Sequence, residues 1–148
     1  MYKGEPLFFK TSLEWKGDGI ARIKGKDLDK LLEVSPPPEF GGEEGFWSPE
    51  ELLLAAVNSC FFATFIYYAE RLNLQLIHFR SEIKGRVELR EGKFVFTEIT
   101  LYPEITLKKG EEDKGKTILE KAKEKCIISN SLQVKVNVVP RFIPGTYK

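Results

Sequence analysis

SPEELLLAAVNSC, residues Ser48 to Cys60, is the stretch that decides how this chain folds. Its opening carries the marks of a helix start. Ser48 can cap the free amides of a first turn, Pro49 suits the first helical position, and Glu51 stands where a capping box needs an acceptor. Glu50 and Glu51 also put negative charge at the positive end of the helix dipole. From Leu52 to Ala69 no residue is charged. The pattern predicts one helix from Ser48 to about Leu72, closed before Asn73. A run this long and apolar reaches the length of a membrane span. Asn58, Ser59 and Thr64 interrupt it, however, and the remaining sequence has globular patterning, so we expect a core helix wrapped by other structure.

The flanking sequence supplies the wrapping. Residues 8–15, FFKTSLEW, have strand composition, Lys16-Gly17-Asp18-Gly19 signals a turn, and Ile20 to Lys24 returns as a second strand. A short apolar piece, Leu28 to Val34, precedes Ser35-Pro36-Pro37-Pro38, which fits neither a helix interior nor a central strand. Gly41, Gly42 and Gly45 keep the approach to the helix a loop. After the helix, Leu76 to Arg90 alternates: Ile83, Gly85, Val87 and Leu89 against Glu82, Lys84, Arg86 and Glu88. Glu91-Gly92 makes a turn into a second long strand, Lys93 to Leu107, in which Pro103 is a candidate disturbance. A charged turn over Lys108 to Lys114 leads to a second helix, roughly Lys116 to Cys126, with Ile118, Leu119 and Ala122 inward. Val134, Val136 and Val138 alternate as a last strand. The order predicts an α+β fold with largely antiparallel sheets around a long buried helix, in a single domain over residues 1–148. The central helix is too apolar for one thin layer of strands to cover, so we expect an intertwined homodimer.

Composition narrows the function. The 148 residues are 42% hydrophobic and 30% charged, and 23 basic against 22 acidic side chains leave a formal charge of +1. That balance lacks the basic excess of a nucleic-acid binder. Two cysteines are too few for a secreted disulfide scaffold, and the N-terminal residues show no signal-peptide core, which points to a cytoplasmic protein with no membrane association. There is no GxGxxG, no P-loop and no CxxC. A single histidine, His78, argues against a zinc site or a Cys–His nucleophile pair, so no metal or cofactor is expected.

The chemistry that remains is Cys60 and Cys126. Taken alone, each is a small core hydrophobe. If the two helices pack side by side, the thiols could meet and cycle between dithiol and disulfide, one thiolate attacking a peroxide and the other resolving the sulfenic acid. Cys60 lies about three turns into its helix, too far for the N-terminus to stabilise its thiolate. An arginine would have to do so, oriented by a carboxylate. Phe46, Trp47, Phe61, Phe62 and Phe65 are expected to serve packing first and to line an apolar pocket second.

Taken together, Gly41-Gly42, Gly45, Ser48-Pro49-Glu50-Glu51-Leu52-Leu53, Ala55-Ala56, Cys60, and Cys126 with Ser129-Asn130 resemble the OsmC/Ohr family of thiol peroxidases, and the order of elements agrees along almost the whole chain. The resemblance implies an intertwined α+β homodimer with sites at its interface. It implies reduction of organic hydroperoxides, and of hydrogen peroxide, at the expense of a dithiol reductant such as a lipoylated protein. It assigns Cys60 as peroxidatic nucleophile, Cys126 as resolving cysteine, and Glu50 as the acidic partner of a catalytic arginine. That arginine would lie near the first hairpin turn, where Arg22 is the nearest one. The proline that often follows the second cysteine is here Ile127. The alternative is a divergent OsmC-like dimer that binds a small apolar or reactive ligand without efficient peroxidase activity. Glu50 and Cys60 are ten residues apart, about 15 Å along an unbroken helix. Either an arginine bridges part of that gap, Glu50 serves the partner subunit's cysteine, or Glu50 only stabilises the first helical turn.

Overall fold

The computed structural model describes residues 4–145. The chain divides between Leu52 and Leu53 into two compact units.

The first unit is an antiparallel meander. β1 (Thr11–Trp15) pairs with β2 (Ala21–Gly25), and β2 with β3 (Leu32–Val34). Gly17 and Gly19 both take positive φ in the β1–β2 turn, a conformation open to glycine at little cost. The first strand is shorter than the sequence suggests: residues 8–10 lie outside it. After β3 the prolines hold the chain in a loop with one short 3-10 turn, Pro38–Phe40. Two hydrogen bonds of Ser35 close the loop. The Ser35 N–H donates to the Trp47 carbonyl at 2.9 Å, and the Glu43 N–H donates to Ser35 Oγ at 2.8 Å. Gly42 packs so tightly on Pro36 that a Cβ there would sit 1.6 Å from the Pro36 carbonyl oxygen.

Helix α1 (Pro49–Arg71) starts as its sequence requires. The Glu51 N–H donates to Ser48 Oγ at 3.2 Å, the Ser48 N–H donates to Glu51 Oε1 at 3.2 Å, and the Ser48 hydroxyl reaches the same carboxylate oxygen at 2.9 Å. Both arms of a capping box are therefore made.

In the second unit, β4 (Leu76–Arg90) and β5 (Lys93–Lys108) form a long antiparallel hairpin. Its turn places Glu91 and Gly92 both at positive φ, the geometry whose twist matches that of the strands. Helix α2 (Glu112–Lys125) buries Gly115, Ile118, Leu119 and Ala122. It begins four residues before the expected Lys116, because Glu112 and Asp113 stabilise a first turn that the charge pattern alone disguises as a loop. A one-turn helix, α3 (Ile127–Asn130), follows directly. Two short strands then pair parallel to β5: β6 (Val136–Val138) along Ile99–Leu101 and β7 (Arg141–Gly145) along Glu104–Lys108. The hairpins are antiparallel, as expected, and these C-terminal additions make the second sheet mixed. Pro103 does not break β5. It falls between the segments that β6 and β7 pair with, at a point where β5 donates to neither.

One core fills this unit. Phe61, Phe65 and Ala69 of α1 meet Leu101, Ile105 and Leu107 of β5, Ile118, Leu119 and Ala122 of α2, and Cys126. Asn58 and Ser81 pin α1 to β4: the Ser81 hydroxyl donates to Asn58 Oδ1, and Asn58 Nδ2 donates to the Ser81 carbonyl at 3.4 Å. A core face is what distinguishes α1 from a membrane span. It is long and apolar enough to cross a bilayer, and only 22% of its most apolar window is buried within one chain. Phe61, Phe65 and Ala69 nevertheless anchor the core cluster, so we read α1 as a core helix.

Candidate functional site

Cys60 sits mid-way along α1, half-buried against the core, with its backbone carbonyl accepting the Thr64 hydroxyl at 2.8 Å. Cys126 occupies the joint between α2 and α3. Its ψ of 111° ends one helix and lets the next begin. That joint turns its thiol inward, where it is 0% exposed. The two cysteines, distant in sequence, come together in one place: Cys60 packs against the core cluster that contains Cys126, and its thiol is near enough to push the Cys126 thiol upward. Neither forms a disulfide in this structure.

The surroundings of Cys126 are specific. The Ser129 hydroxyl, one turn along α3, donates to Cys126 Sγ at 3.2 Å. Burial pushes the Cys126 thiol above the usual thiol range. Hydrogen bonding from Ser129 works against that shift, and the neighbouring Cys60 adds to it. The sequence singled out Ser129 only as part of a segment. Its position three residues after a cysteine that ends a helix is the signal from which its contact could have been read.

Beside the pair, a cavity of about 210 Å³ is lined by Phe61, Ser129, Asn130, Val136 and the cationic Lys123 and Lys135. Of the aromatic residues expected to pack, Phe61 and Phe65 are buried in the core, while Phe62 packs at a tilt against Phe79 with 43% of its surface exposed.

The remaining expected residues lack the partners foreseen for them. Glu50, in the first turn of α1, has a buried Oε2 without a hydrogen-bond partner among the described residues. Arg22, on β2, is engaged elsewhere: its guanidinium bonds Asp18 at 2.9 Å and reaches Glu33 at 3.7 Å. Arg22 in turn holds the Asp18 carboxyl below its ordinary range. The other arginines are likewise committed. Arg80 and Arg141 pair with Glu104, Arg86 and Arg90 pair with Glu88, and Arg71 stacks over the Tyr67 ring at 4.4 Å. Among the described residues no arginine pairs with Glu50, and no group of His, Cys, Asp and Glu is arranged to hold a metal ion.

The sequence pattern of OsmC-like proteins matches residues 41–140, which include the loop glycines, all of α1 and both cysteines. The chain belongs to the OsmC-like family. An uncharacterised protein of Bacillus subtilis, YmaD, is 26% identical over 136 residues, 88% of this chain and 89% of the relative. Among solved structures, an OsmC-like protein of unknown function from Vibrio cholerae superposes with a TM-score of 0.83 at 18% identity, over 91% of this chain and 99% of that one. An organic hydroperoxide resistance protein from Elizabethkingia anophelis gives 0.75 at 19% identity, over 97% and 100% of the two chains. The organic hydroperoxide resistance protein OhrB of Bacillus subtilis gives 0.65 at 20% identity, over 92% and 98%. At these identities the structural likeness establishes the OsmC-like fold.

Proposed function

We propose that this OsmC-like protein is a thiol-dependent peroxidase that reduces organic hydroperoxides, with Cys60 as nucleophile and Cys126 as resolving cysteine. One observation carries the reading: the cysteine of α1 and the cysteine of the α2–α3 joint are packed into the same core cluster. In this reading the Cys60 thiolate attacks the distal oxygen of the hydroperoxide and releases an alcohol. Cys60 is left as sulfenic acid. Cys126 then attacks the Cys60 sulfur, expels water and closes a disulfide, and a dithiol such as a lipoylated protein restores both thiols. Hydrogen peroxide is a second substrate of the same chemistry, and the setting is the cytoplasm.

The same reading makes the working unit a homodimer, in which a second copy covers the apolar surface that α1 leaves open. The buried, unpartnered Oε2 of Glu50 supports a role in holding a cation near a thiolate. Arg22 is the arginine closest to the position the family pattern requires, and it would have to leave Asp18 and Glu33 to act there.

A hydroperoxide consumption assay with a dithiol reductant tests the proposal. Wild type should turn over cumene or tert-butyl hydroperoxide and Cys60→Ser should not. Equal activity in the two proteins would end it. The engagement of Arg22 with Asp18 favours a second reading, a dimer that binds a small apolar or reactive ligand without efficient peroxide turnover. That reading expects both proteins to be inactive while a ligand still binds.

A further inference from the structure

The disulfide that closes the proposed cycle would have two unlike sulfurs. Cys126 is fully buried and Cys60 is only half-buried, so a reductant in solution meets Cys60 first. Thiol–disulfide exchange also depends on how well the departing sulfur carries negative charge. Burial alone would make Cys126 a poor anion, and the structure sets one donor against that cost: Ser129 Oγ stands 3.2 Å from Cys126 Sγ. The donor is fixed in place by the turn that carries it. The Asn130 N–H donates to the Cys126 carbonyl at 3.0 Å, the Ser131 N–H donates to the Ile127 and Ile128 carbonyls, and Asn130 Nδ2 donates to the Glu124 carbonyl at 2.9 Å, tying α3 back to α2. Ser129 also lines the neighbouring cavity of about 210 Å³.

Resting on the disulfide of the proposed function, we propose that a dithiol reductant attacks the Cys60 sulfur, and that Ser129 is the residue that holds Cys126 as the leaving thiolate. One thiolate of the reductant forms a bond to Cys60 Sγ, and the Cys60–Cys126 bond breaks. Its electron pair goes to Cys126 Sγ, where the Ser129 hydroxyl stabilises the charge until a proton arrives. The second thiolate of the reductant then attacks the reductant sulfur attached to Cys60. That closes the reductant's own disulfide and frees Cys60. Two electrons and two protons pass from the dithiol to the two cysteines.

The test starts from a disulfide made with diamide, so it does not depend on peroxide chemistry. Oxidised wild type is exposed briefly to 2-mercaptoethanol, quenched in acid, alkylated with N-ethylmaleimide and mapped by peptide mass spectrometry. The mixed disulfide should fall on Cys60, with Cys126 alkylated. In Ser129→Ala, reduction by dithiothreitol should slow about tenfold, the lower end of what one hydrogen bond to a charged group is worth. Ser129→Thr, which keeps the hydroxyl, should restore the rate. An adduct mainly on Cys126 overturns the proposal, as does an unchanged rate in Ser129→Ala or a failure of diamide to link the two cysteines. Should diamide form the bond and hydroperoxide not, the peroxidase reading falls while this one stands.

Discussion

Cys60 of α1 packs against the core cluster that holds Cys126 at the α2–α3 joint. A disulfide asks for Cα atoms about 4.4–6.8 Å apart and side chains that face each other, and packing in one core cluster is what would bring these two thiols together. One equivalent of hydroperoxide should therefore remove two hydrogens from the intact mass of each chain. Cys126→Ser should block that loss and leave Cys60 carrying an added oxygen, read as sulfenic acid by dimedone trapping. Two cysteines that stay reduced under these conditions would leave only their packing role.

The Cys126 thiol titrates above its ordinary value of 9.0, first because it is buried. In the unfolded chain the same thiol ionises near the ordinary value. Above that pH the unfolded state binds fewer protons than the native one, so stability falls as pH rises. The stability present below about pH 9 is thus lost progressively as pH climbs toward and through the native value. Wild type should lose more of its thermal midpoint between pH 8 and pH 10.5 than Cys126→Ala does. Comparing the slopes of Tm against pH cancels the fixed cost of the small cavity left by the alanine. Parallel slopes would mean that the buried thiol is not held neutral.

Much of this was legible in the sequence for physical reasons that can be named. The start of α1 was legible because Ser48, Pro49 and Glu51 are local signals, and each does in the structure what its chemistry predicts. The β4–β5 hairpin was legible because strand alternation and the Glu91-Gly92 turn agree. Helix α2 was cut short because its first turn is as charged as a loop, and β7 was missed because Pro140 and Pro144 read as breakers. Parallel pairing to β5 tolerates them at a sheet margin. The meeting of Cys60 with Cys126 could only be posed as a condition on helix packing, since sequence spacing does not fix which helices touch. The engagement of Arg22 by Asp18 was hidden for the same reason. A hairpin turn brings the two side chains together, and that pairing decides where the guanidinium points.

Gly115 tests the packing that sets α2 against β5, and with it the placement of the α2–α3 joint. A Cβ at this position would meet Leu107 Cδ1 at 2.6 Å and the Phe142 ring at 3.0 Å. Leu107 is only 1% exposed and belongs to the core cluster, so it would have to shift within packed surroundings. Alanine in place of glycine gains about 1 kcal/mol of helix propensity in an exposed site, yet overpacking a close-packed core costs about 1–3 kcal/mol. Gly115→Ala should therefore be destabilised or at best neutral by urea titration, where an unhindered helix glycine would be stabilised. A gain approaching the full propensity value would show that α2 stands further from β5 than the structure has it.

The last prediction concerns the face of α1 that one chain does not cover. Phe62 keeps 43% of its surface exposed on a helix whose apolar window is 22% buried, and β1 is exposed along its whole length. Isolated exposed apolar side chains are ordinary, but a contiguous apolar helix face in water is not. If a second copy covers it, sedimentation equilibrium should give twice the chain mass at micromolar concentration. Phe62→Glu should then shift the population toward monomer, because a carboxylate in a desolvated interface costs several kcal/mol unless it is paired. Phe62 also packs on Phe79 within its own chain, so some loss of monomer stability is expected as well. Far-ultraviolet circular dichroism at the same concentration separates the two effects. A folded monomer supports the covered-face reading, and a wild-type chain that sediments as a monomer refutes it.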